Sequence, residues 1–330
     1  MSLVREALEA SLTDAPFVQQ ELRDALGGGL RSIDERQVAV RLVDVEDREA
    51  VMAELRSGAD APLVLSVFAD PEDAVHTFAV QEALWVAGFH ELSRHRVPRP
   101  LALLENDGLV VSERTPGIPL ARLIDRRATE AVRAVTETGA WLGRMHTADI
   151  RVGSKWFPWK SVENLSVHLR ARARTMDALR ETVRPMVHRL APLAGRAAPR
   201  SWCQTHGRIR PDRVMVSPGT VTVDDFVRSV PGDPARDIAE FAFDLRKRAM
   251  LAGDPRADAL ELAFMDGYLA NAPEEHLDNI GFYAGCAVLQ SLVSNAPSGR
   301  GDLMDWIDFH DEEFDRWVLP SPIRILLPGA

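Results

Sequence analysis

The order of strand-like and helix-like segments is the feature that most restricts the fold of this 330-residue chain. Two runs rich in valine and leucine, residues 37–45 and 61–69, predict strands in the first third. Residues 97–113 predict a β-hairpin whose turn contains Asn106-Asp107-Gly108. Helical periodicity predominates after residue 120, and the one interruption is a small β-island at 202–226. An α+β fold follows, with a small mixed α/β first lobe and a larger, mostly helical second lobe.

Two further segments of the first lobe have helical patterns. Residues 47–58 read as a helix that stops at Gly58, because glycine often follows a helix end. Residues 73–92 predict a second helix, in which one set of side chains has helical spacing: Val75, Phe78, Ala79, Glu82 and Trp85. A proline- and glycine-containing stretch, 115–120, predicts the connector between the lobes.

Charge and cysteine content exclude several classes of function. The net charge of −10 argues against binding to nucleic acid or to an anionic membrane surface. The two cysteines, Cys203 and Cys286, are far apart and lack metal-ligand spacing, so neither a disulfide framework nor a zinc site is expected. No run reaches the length of a membrane-spanning segment, and the N-terminal sequence lacks the pattern of a signal peptide. We therefore expect a cytoplasmic protein.

Three motifs follow one another in the second half of the chain: HGRIRPDRVMV at 206–216, VTVDDF at 221–226 and GDPARDIAEF at 232–241. In order and spacing they resemble the aminoglycoside and choline phosphotransferase family. That family has His-Gly-Asp with an asparagine five residues on, then an apolar residue with Asp-Phe or Asp-Trp, then Gly-Asp-Pro-x-x-Asp-Leu-Ala. The resemblance covers about residues 60–245, and the ordered set is specific although each motif alone is weak.

The resemblance implies a bilobal protein-kinase-like fold. Its N-lobe, with an N-terminal extension, would occupy 1–114, its hinge 115–120 and its helical C-lobe 121–330. The catalytic loop of this C-lobe would lie in the β-island 202–226. The family implies ATP and magnesium as cofactors.

Residue by residue, the family's catalytic positions are altered in this chain. The catalytic base falls on Arg208, which has only donors and stays protonated. The metal-binding amide falls on Arg213, which offers no oxygen to a hard cation. The phosphate-binding lysine falls on Ser66. Asp225 keeps the metal-binding carboxylate, with Asp224 beside it.

The remaining candidate residues are intact or structural. Glu82 is the helical carboxylate that would pair with the missing lysine, and Glu113 in the hinge-like stretch is a candidate nucleotide contact. Asp212 could replace the base if the loop is rearranged. The resemblance gives His206, Asp233 and Asp237 structural roles, and Asp237 would brace the loop through backbone N–H groups.

The two arginines allow two interpretations. Arg208 and Arg213 could bind an anion or a nucleotide without metal, because guanidinium groups pair with phosphate in a bidentate fork. They could instead pair with nearby aspartates and close the site. Removal of a positioned base alone lowers a rate by roughly 10²–10⁴.

The sequence therefore favours a degenerate phosphotransferase, a pseudokinase with little ordinary ATP-dependent transfer, which binds at most a small molecule or a protein partner. An active small-molecule kinase with a rearranged catalytic loop is the first alternative. A purely structural interaction protein is the second.

Overall fold

The computed structural model describes residues 38–43, 50–57, 62–172, 177–295 and 300–318. The chain divides into two compact units. The first comprises Met1–Ile118 with Arg213–Ser229, and the second comprises Pro119–Asp212 with Val230–Ala330.

A five-stranded antiparallel sheet forms the centre of the first unit, in the order β1-β2-β3-β6-β5. The predicted hairpin is confirmed, since β5 and β6 are joined by a 3₁₀ turn at Glu105–Asp107 and pair antiparallel. The strands of this sheet are β1 (Val38–Val43), β2 (Ala50–Ser57), β3 (Leu63–Phe68), β5 (Pro100–Leu104) and β6 (Leu109–Glu113).

The predicted helix over 47–58 is wrong, because this segment contains strand β2. Its backbone pairs on both sides, with β1 through Leu42↔Ala53 and with β3 through Met52↔Ser66. Residues such as Ala, Glu and Met favour helices only weakly, by a few tenths of a kcal/mol each. Two neighbouring strands that each need hydrogen-bond partners outweigh that preference.

Helix α1 (Pro71–Val86) follows β3 and contacts β3, β5 and β6. Asp70 caps it by accepting the Glu72 backbone N–H at 3.0 Å, and Pro71 occupies the first turn, where a missing N–H costs nothing. Its buried side chains are Ala74, Thr77, Val80, Gln81 and Leu84, and all of them except Val80 lie one position before a member of the set with helical spacing that the sequence suggested.

A second sheet in the first unit joins segments that are distant in sequence. Strand β10 (Thr220–Val223) pairs antiparallel with β9 (Val214–Ser217) and parallel with β4 (His95–Arg96). These pairings place β9 and β10 in the first unit, whereas the sequence had suggested that the whole β-island 202–226 is part of the helical lobe. The remaining short strands are β7 (Ile118–Pro119), β8 (Cys203–Gln204) and β11 (Pro231–Gly232).

The second unit is mostly helical. Its β8 and β11 form a two-stranded antiparallel pair. Its helices are α2 (Leu120–Asp125), α3 (Ala131–Thr147), α4 (Pro158–Arg172), α5 (Asp177–Ala194), α6 (Pro234–Leu251), α7 (Ala257–Leu269), α8 (Ile280–Ser294) and α9 (Arg300–Val318).

Helices α3 and α7 approach closely because glycines line their contact. A Cβ atom on Gly139 would lie 2.1 Å from the Phe264 carbonyl oxygen, and one on Gly267 would lie 2.0 Å from that of Thr136. Both distances are far below van der Waals contact, so only glycine fits at these two positions. This contact helps to fix α3, which carries His146 into the site described below.

Candidate functional site

The carboxylate of Asp237, on the first turn of α6, accepts two backbone N–H groups from the loop at His206-Gly207. Asp237 accepts the backbone N–H of His206 at 2.5 Å through Oδ2 and that of Gly207 at 2.8 Å through Oδ1. Gly207 has φ 79°, in the region that favours glycine. Because Asp237 is fully buried, these charge-assisted bonds act in a low dielectric. Asp237 therefore occupies a loop-bracing position.

A buried chain of rings continues from Asp237. His146 Nε2 lies 3.1 Å from Asp237 Oδ2, and His146 Nδ1 lies 2.9 Å from the Tyr268 hydroxyl. That hydroxyl is in turn 2.6 Å from His276 Nδ1. Burial works to raise the pKa of Asp237, but the hydrogen bond and the charge of His146 outweigh it and hold that pKa below its usual value. Asp237 is therefore the anionic end of the chain.

We expect the free energy of unfolding to fall as the pH drops from about 6.5 to about 4. Burial, helped by the nearby His146, lowers the pKa of His276 from 6.5 to about 4. Between pH 6.5 and about 4, His276 is protonated in the unfolded chain and neutral in the folded protein. This contribution is complete above pH 6.5 and is lost towards pH 4, at a cost of at most about 3 kcal/mol.

Urea unfolding of the wild type and of His276→Gln at pH 7, 5.5 and 4.5 measures this dependence. The variant should lose less stability than the wild type between pH 7 and 4.5. Equal slopes for the two proteins would show that His276 takes up its proton in the folded state as well. His310, whose pKa burial also lowers to about 4, adds the same background slope to both proteins.

Asp233 begins helix α6 and fixes a second element. Its side chain accepts the Ala235 backbone N–H at 3.0 Å and the Asn279 side-chain amide at 2.7 Å. Burial raises its pKa, with opposing contributions from those two hydrogen bonds. Arg236, one turn on, donates to the Gly207 carbonyl at 2.7 Å. The start of α6 therefore holds the loop from both its N–H and its carbonyl side.

Arg208 and Asp212, the expected base position and its substitute, both lie in the second unit. Arg208 follows the braced glycine and is partly buried. Asp212 lies in the 3₁₀ turn Pro211–Arg213, with the Arg210 guanidinium 3.4 Å from its carboxylate. Arg210 is also 3.4 Å from Asp244 on α6, so the carboxylate of Asp212 faces a cation.

Arg213 and Asp225 form an ion pair in the first unit. Arg213 Nε lies 2.9 Å from Asp225 Oδ2, and the two side chains are 0% and 10% exposed. Asp225 has φ 73°, a left-handed conformation that costs a side-chain-bearing residue about 1–3 kcal/mol. The backbone hydrogen bond from Asp224 N to the Arg213 carbonyl, 3.2 Å long, links the same two segments.

A cavity of about 190 Å³ lies in the first unit, and Asp225 lines it. Strand β3 contributes Ser66, the residue at the lysine position, and β6 contributes Glu113. The sheet's apolar side chains form much of the remaining wall: Ala50, Met52, Val64, Phe68 and Val110. The structure thus brings Ser66, Glu113 and Asp225 to one cavity.

Helix α1 lines this cavity with Thr77 and Gln81, whereas Glu82 is exposed and does not line it. Thr77 and Gln81 are 6% and 5% exposed, and Thr77 Oγ1 and Gln81 Oε1 have no hydrogen-bond partner within the described residues. Sequence reasoning missed both. The sequence did contain a signal for them: Thr77 and Gln81 are polar and four residues apart, so their side chains lie on the same face of the helix.

Charged side chains at the cavity are paired by arginines. Glu54 and Arg114 both line it, and Arg114 Nε lies 3.1 Å from Glu54 Oε2. Arg99 donates to Glu113 at 3.3 Å, in a pair whose side chains are 52% and 40% exposed. The lining itself contains one guanidinium, that of Arg114, and four carboxylates, those of Glu54, Glu113, Asp224 and Asp225, while Arg99 and Arg213 pair with two of these carboxylates without lining the cavity. The cavity therefore has a slight excess of negative charge.

Among the residues that the structure describes, no group of three or more His, Cys, Asp or Glu side chains is arranged to hold a metal ion. Over the same residues, no helix has the length and apolar character needed to cross a bilayer.

Solved structures that superpose on this chain include choline kinases and aminoglycoside phosphotransferases. A choline/ethanolamine kinase family protein from Mesorhizobium loti superposes with a TM-score of 0.61 at 12% identity, covering 93% of this chain and 97% of its own. A choline kinase from Cryptosporidium parvum gives 0.65 at 11% identity, covering 95% and 100%.

A third similar structure contains a nucleotide analogue. An aminoglycoside phosphotransferase in complex with AMP-PNP and hygromycin B gives a TM-score of 0.57 at 17% identity, covering 91% of this chain and 97% of its own. These likenesses establish the bilobal kinase-like fold. No protein with a curated description matches the chain. The profile of the phosphotransferase enzyme family matches residues 46–277, and the chain therefore belongs to that family.

Proposed function

We propose that this chain is a degenerate phosphotransferase that does not perform the ordinary magnesium-dependent transfer from ATP and instead keeps the fold as a binding scaffold. The observation that carries the proposal is the buried ion pair between Arg213 and Asp225, at 2.9 Å. It supports the interpretation in which Arg213 closes the site over the one in which Arg213 binds an anion.

The donor set around Asp225 does not fit a divalent cation. Magnesium requires a near-octahedral set of oxygen ligands, which a protein site supplies largely as carboxylates and water. Here a guanidinium contacts the carboxylate, and Arg213 stands where the resemblance expects an amide oxygen. A metal ion at Asp225 would have to displace a cation that is covalently part of the chain. The residues at this position therefore do not fit magnesium.

The other two altered positions support the same conclusion. Arg208 cannot accept a proton from an alcohol, because a guanidinium has only hydrogen-bond donors. Asp212, its possible substitute, has the Arg210 guanidinium 3.4 Å away. Ser66 lines the cavity but has no charge to offer a phosphate. Base, metal ligand and phosphate-binding cation are all replaced.

The cavity in the first unit fits an uncharged ligand better than a nucleotide. Its volume of about 190 Å³ is below the roughly 300–1,000 Å³ of sites that enclose drug-sized ligands. Its slight excess of carboxylates disfavours a polyphosphate. Thr77 and Gln81 bring side chains that can form hydrogen bonds to its lining. A nucleoside or a free base is uncharged and has hydrogen-bonding groups. ATP is the charged ligand with which its binding should be compared.

We expect the purified protein to consume no ATP above background with choline, ethanolamine or amino sugars, with or without magnesium. Thermal shift titrations should show ATP binding no more tightly than adenosine, and magnesium should not strengthen either. Asp225→Asn provides the matched control, because any contaminating kinase survives it. Turnover that disappears in Asp225→Asn would overturn the proposal and establish an active kinase with a rearranged loop.

Binding of neither compound, with unchanged melting temperatures throughout, would favour a purely structural interaction protein. Saturable ATP binding in the presence of a chelator that is lost in Arg208→Ala would favour metal-independent anion binding at Arg208. The two titrations therefore separate the three functions.

A further inference from the structure

A group of aromatic and basic side chains is exposed on the helical unit, just before and within the first turn of α4. Trp159 is 58% and Phe157 is 42% exposed. The Phe157 and Trp202 rings meet edge to face, with their centroids 5.2 Å apart. Aromatic side chains contribute much of the binding energy at protein interfaces, so an exposed cluster of them indicates a binding surface. We call this surface the aromatic patch, and it consists of six side chains: Lys155, Trp156, Phe157, Trp159, Lys160 and Trp202.

The centre of the aromatic patch is fixed to the start of α6. The Trp156 backbone N–H donates to the Pro231 carbonyl at 2.8 Å, and the Trp156 indole donates to Ser161 Oγ at 3.2 Å. The Arg236 guanidinium carbon lies 4.4 Å from the centre of the Trp156 ring, and Arg236 also donates to the Gly207 carbonyl. Because these contacts already hold Trp156 in place, a partner does not have to immobilise it on binding.

Two lysines place their ammonium groups beside these rings. Lys155 Nζ lies 5.0 Å from the centre of the Trp202 ring. Lys160 Nζ lies 5.5 Å from the centre of the Trp156 ring and 5.9 Å from that of Trp159. A cation–π contact holds an ammonium group near a ring and still leaves N–H donors for an anion. A carboxylate and an apolar side chain of one ligand can therefore bind side by side, at an ammonium group and at a ring.

The aromatic patch is basic although the chain is acidic. Among the residues that the structure describes, no carboxylate forms an ion pair with Lys155 or Lys160. The chain has only three lysines, and the third, Lys247, is paired with Asp244 at 2.6 Å. The exposed Glu163, one turn on in α4, is the acid nearest to Lys160 in the sequence. Two lysines against this one carboxylate leave an excess of one positive charge, whereas the whole chain has a net charge of −10.

We propose that the aromatic patch docks a short acidic segment of a partner protein, in which glutamate or aspartate residues alternate with aromatic or aliphatic ones. The carboxylates bind the two ammonium groups, and the apolar side chains pack on the exposed rings. A nucleic acid or an anionic membrane would present many phosphates over a wide area, and a chain with a net charge of −10 is repelled by such a surface. None of the six side chains lines the cavity in the first unit, so the two sites are distinct.

A dye-labelled synthetic peptide of alternating glutamate and phenylalanine is the probe, and fluorescence anisotropy measures its binding. Two matched peptides separate the contributions: glutamine replaces glutamate in one, and alanine replaces phenylalanine in the other. The probe should bind about tenfold more tightly than either, because each matched peptide lacks one of the two kinds of contact. Binding of the probe should weaken as salt is added.

Zero-length cross-linking with a carbodiimide identifies the contact, because it joins a carboxylate only to an amine that it touches. With three lysines in the chain, mass spectrometry can assign each cross-linked lysine. Lys155 and Lys160 should be joined to the probe. Lys247 is the internal control and should not be joined, because its ammonium group already contacts Asp244 and its side chain is only 16% exposed.

Trp159→Ala should weaken binding of the probe about tenfold, as expected for the loss of one aromatic contact at an interface. Trp85→Ala is the matched control outside the patch, because Trp85 is also partly exposed and has the Arg99 guanidinium 5.8 Å from its ring centre. It should leave the affinity unchanged. Lys155→Glu with Lys160→Glu should abolish binding of the probe and allow binding of a peptide of lysine and phenylalanine. Such an exchange of preference cannot arise from a loss of folding.

Absence of saturable binding up to about 1 mM probe would overturn the proposal. So would equal affinities for the probe and its glutamine counterpart, or equal losses in the two tryptophan variants. A single-stranded oligonucleotide or anionic lipid vesicles that bind more tightly than the probe would show that the patch recognises a phosphate surface instead. None of these measurements involves ATP or phosphoryl transfer, so this proposal and the proposed function fail separately.

Discussion

Replacing Asp237 with alanine should lower the free energy of unfolding of the helical unit by about 2–6 kcal/mol. The side chain accepts the N–H groups of His206 and Gly207, at 2.5 and 2.8 Å, and is fully buried. Each buried donor left without an acceptor costs roughly 1–3 kcal/mol. His146 would also lose the carboxylate 3.1 Å from its Nε2.

Chemical denaturation of the two proteins at pH 7 measures this loss. Asp258→Ala is the matched control in the same unit: its carboxylate contacts Arg246, but its side chain is 80% exposed. Exposed ion pairs contribute only about 0–1 kcal/mol. If the Asp237 variant unfolded at the same denaturant concentration as the control, the loop would not depend on this carboxylate.

Arg213→Ala should destabilise the first unit by about 3–5 kcal/mol, the usual cost of leaving one member of a buried ion pair behind. The Arg213 side chain is fully buried, and that of Asp225 is 10% exposed. The substitution therefore leaves the carboxylate of Asp225 without its counterion at a position with little access to water. The free energy of unfolding, measured by denaturant titration, reports the loss.

Asp225→Asn tests the coupling between the two residues, because asparagine keeps the size of the side chain and tolerates φ 73°. The double variant with Arg213→Ala should lose less stability than the two single variants together. Arg99→Ala, in the exposed pair with Glu113, provides the control and should change stability by less than about 1 kcal/mol. Additive losses for Arg213 and Asp225 would show that their contact contributes nothing.

Hydrophobic patterning and turn chemistry predicted much of the fold. The hairpin at 97–113 formed as expected, because its apolar runs flank a turn that contains glycine, and Gly108 has φ 59°. Strand β2 was missed, because its residues have helical propensity and only its neighbours on both sides make it a strand. Local sequence does not contain information about those neighbours.

The contacts within the candidate site could not be predicted from the sequence. The motif spacing predicted Arg213 and Asp225 as site residues, but their pairing depends on two chain segments that fold together. On α1 the sequence suggested Glu82, while the cavity is lined by Gln81. One residue corresponds to a rotation of about 100° around a helix. Because α1 is apolar on several sides, its pattern did not determine the rotation.

The ion pair of Arg213 and Asp225 means that the counterion of this carboxylate is permanent. A bound metal exchanges with solvent, so its occupancy follows the concentration of the free ion and a chelator removes it. The guanidinium is tethered to the chain at a fixed distance and is present whenever the protein is folded. Neutralisation of Asp225 is therefore independent of cellular magnesium and nucleotide levels, and this loop keeps one electrostatic state where an exchangeable ion would give two.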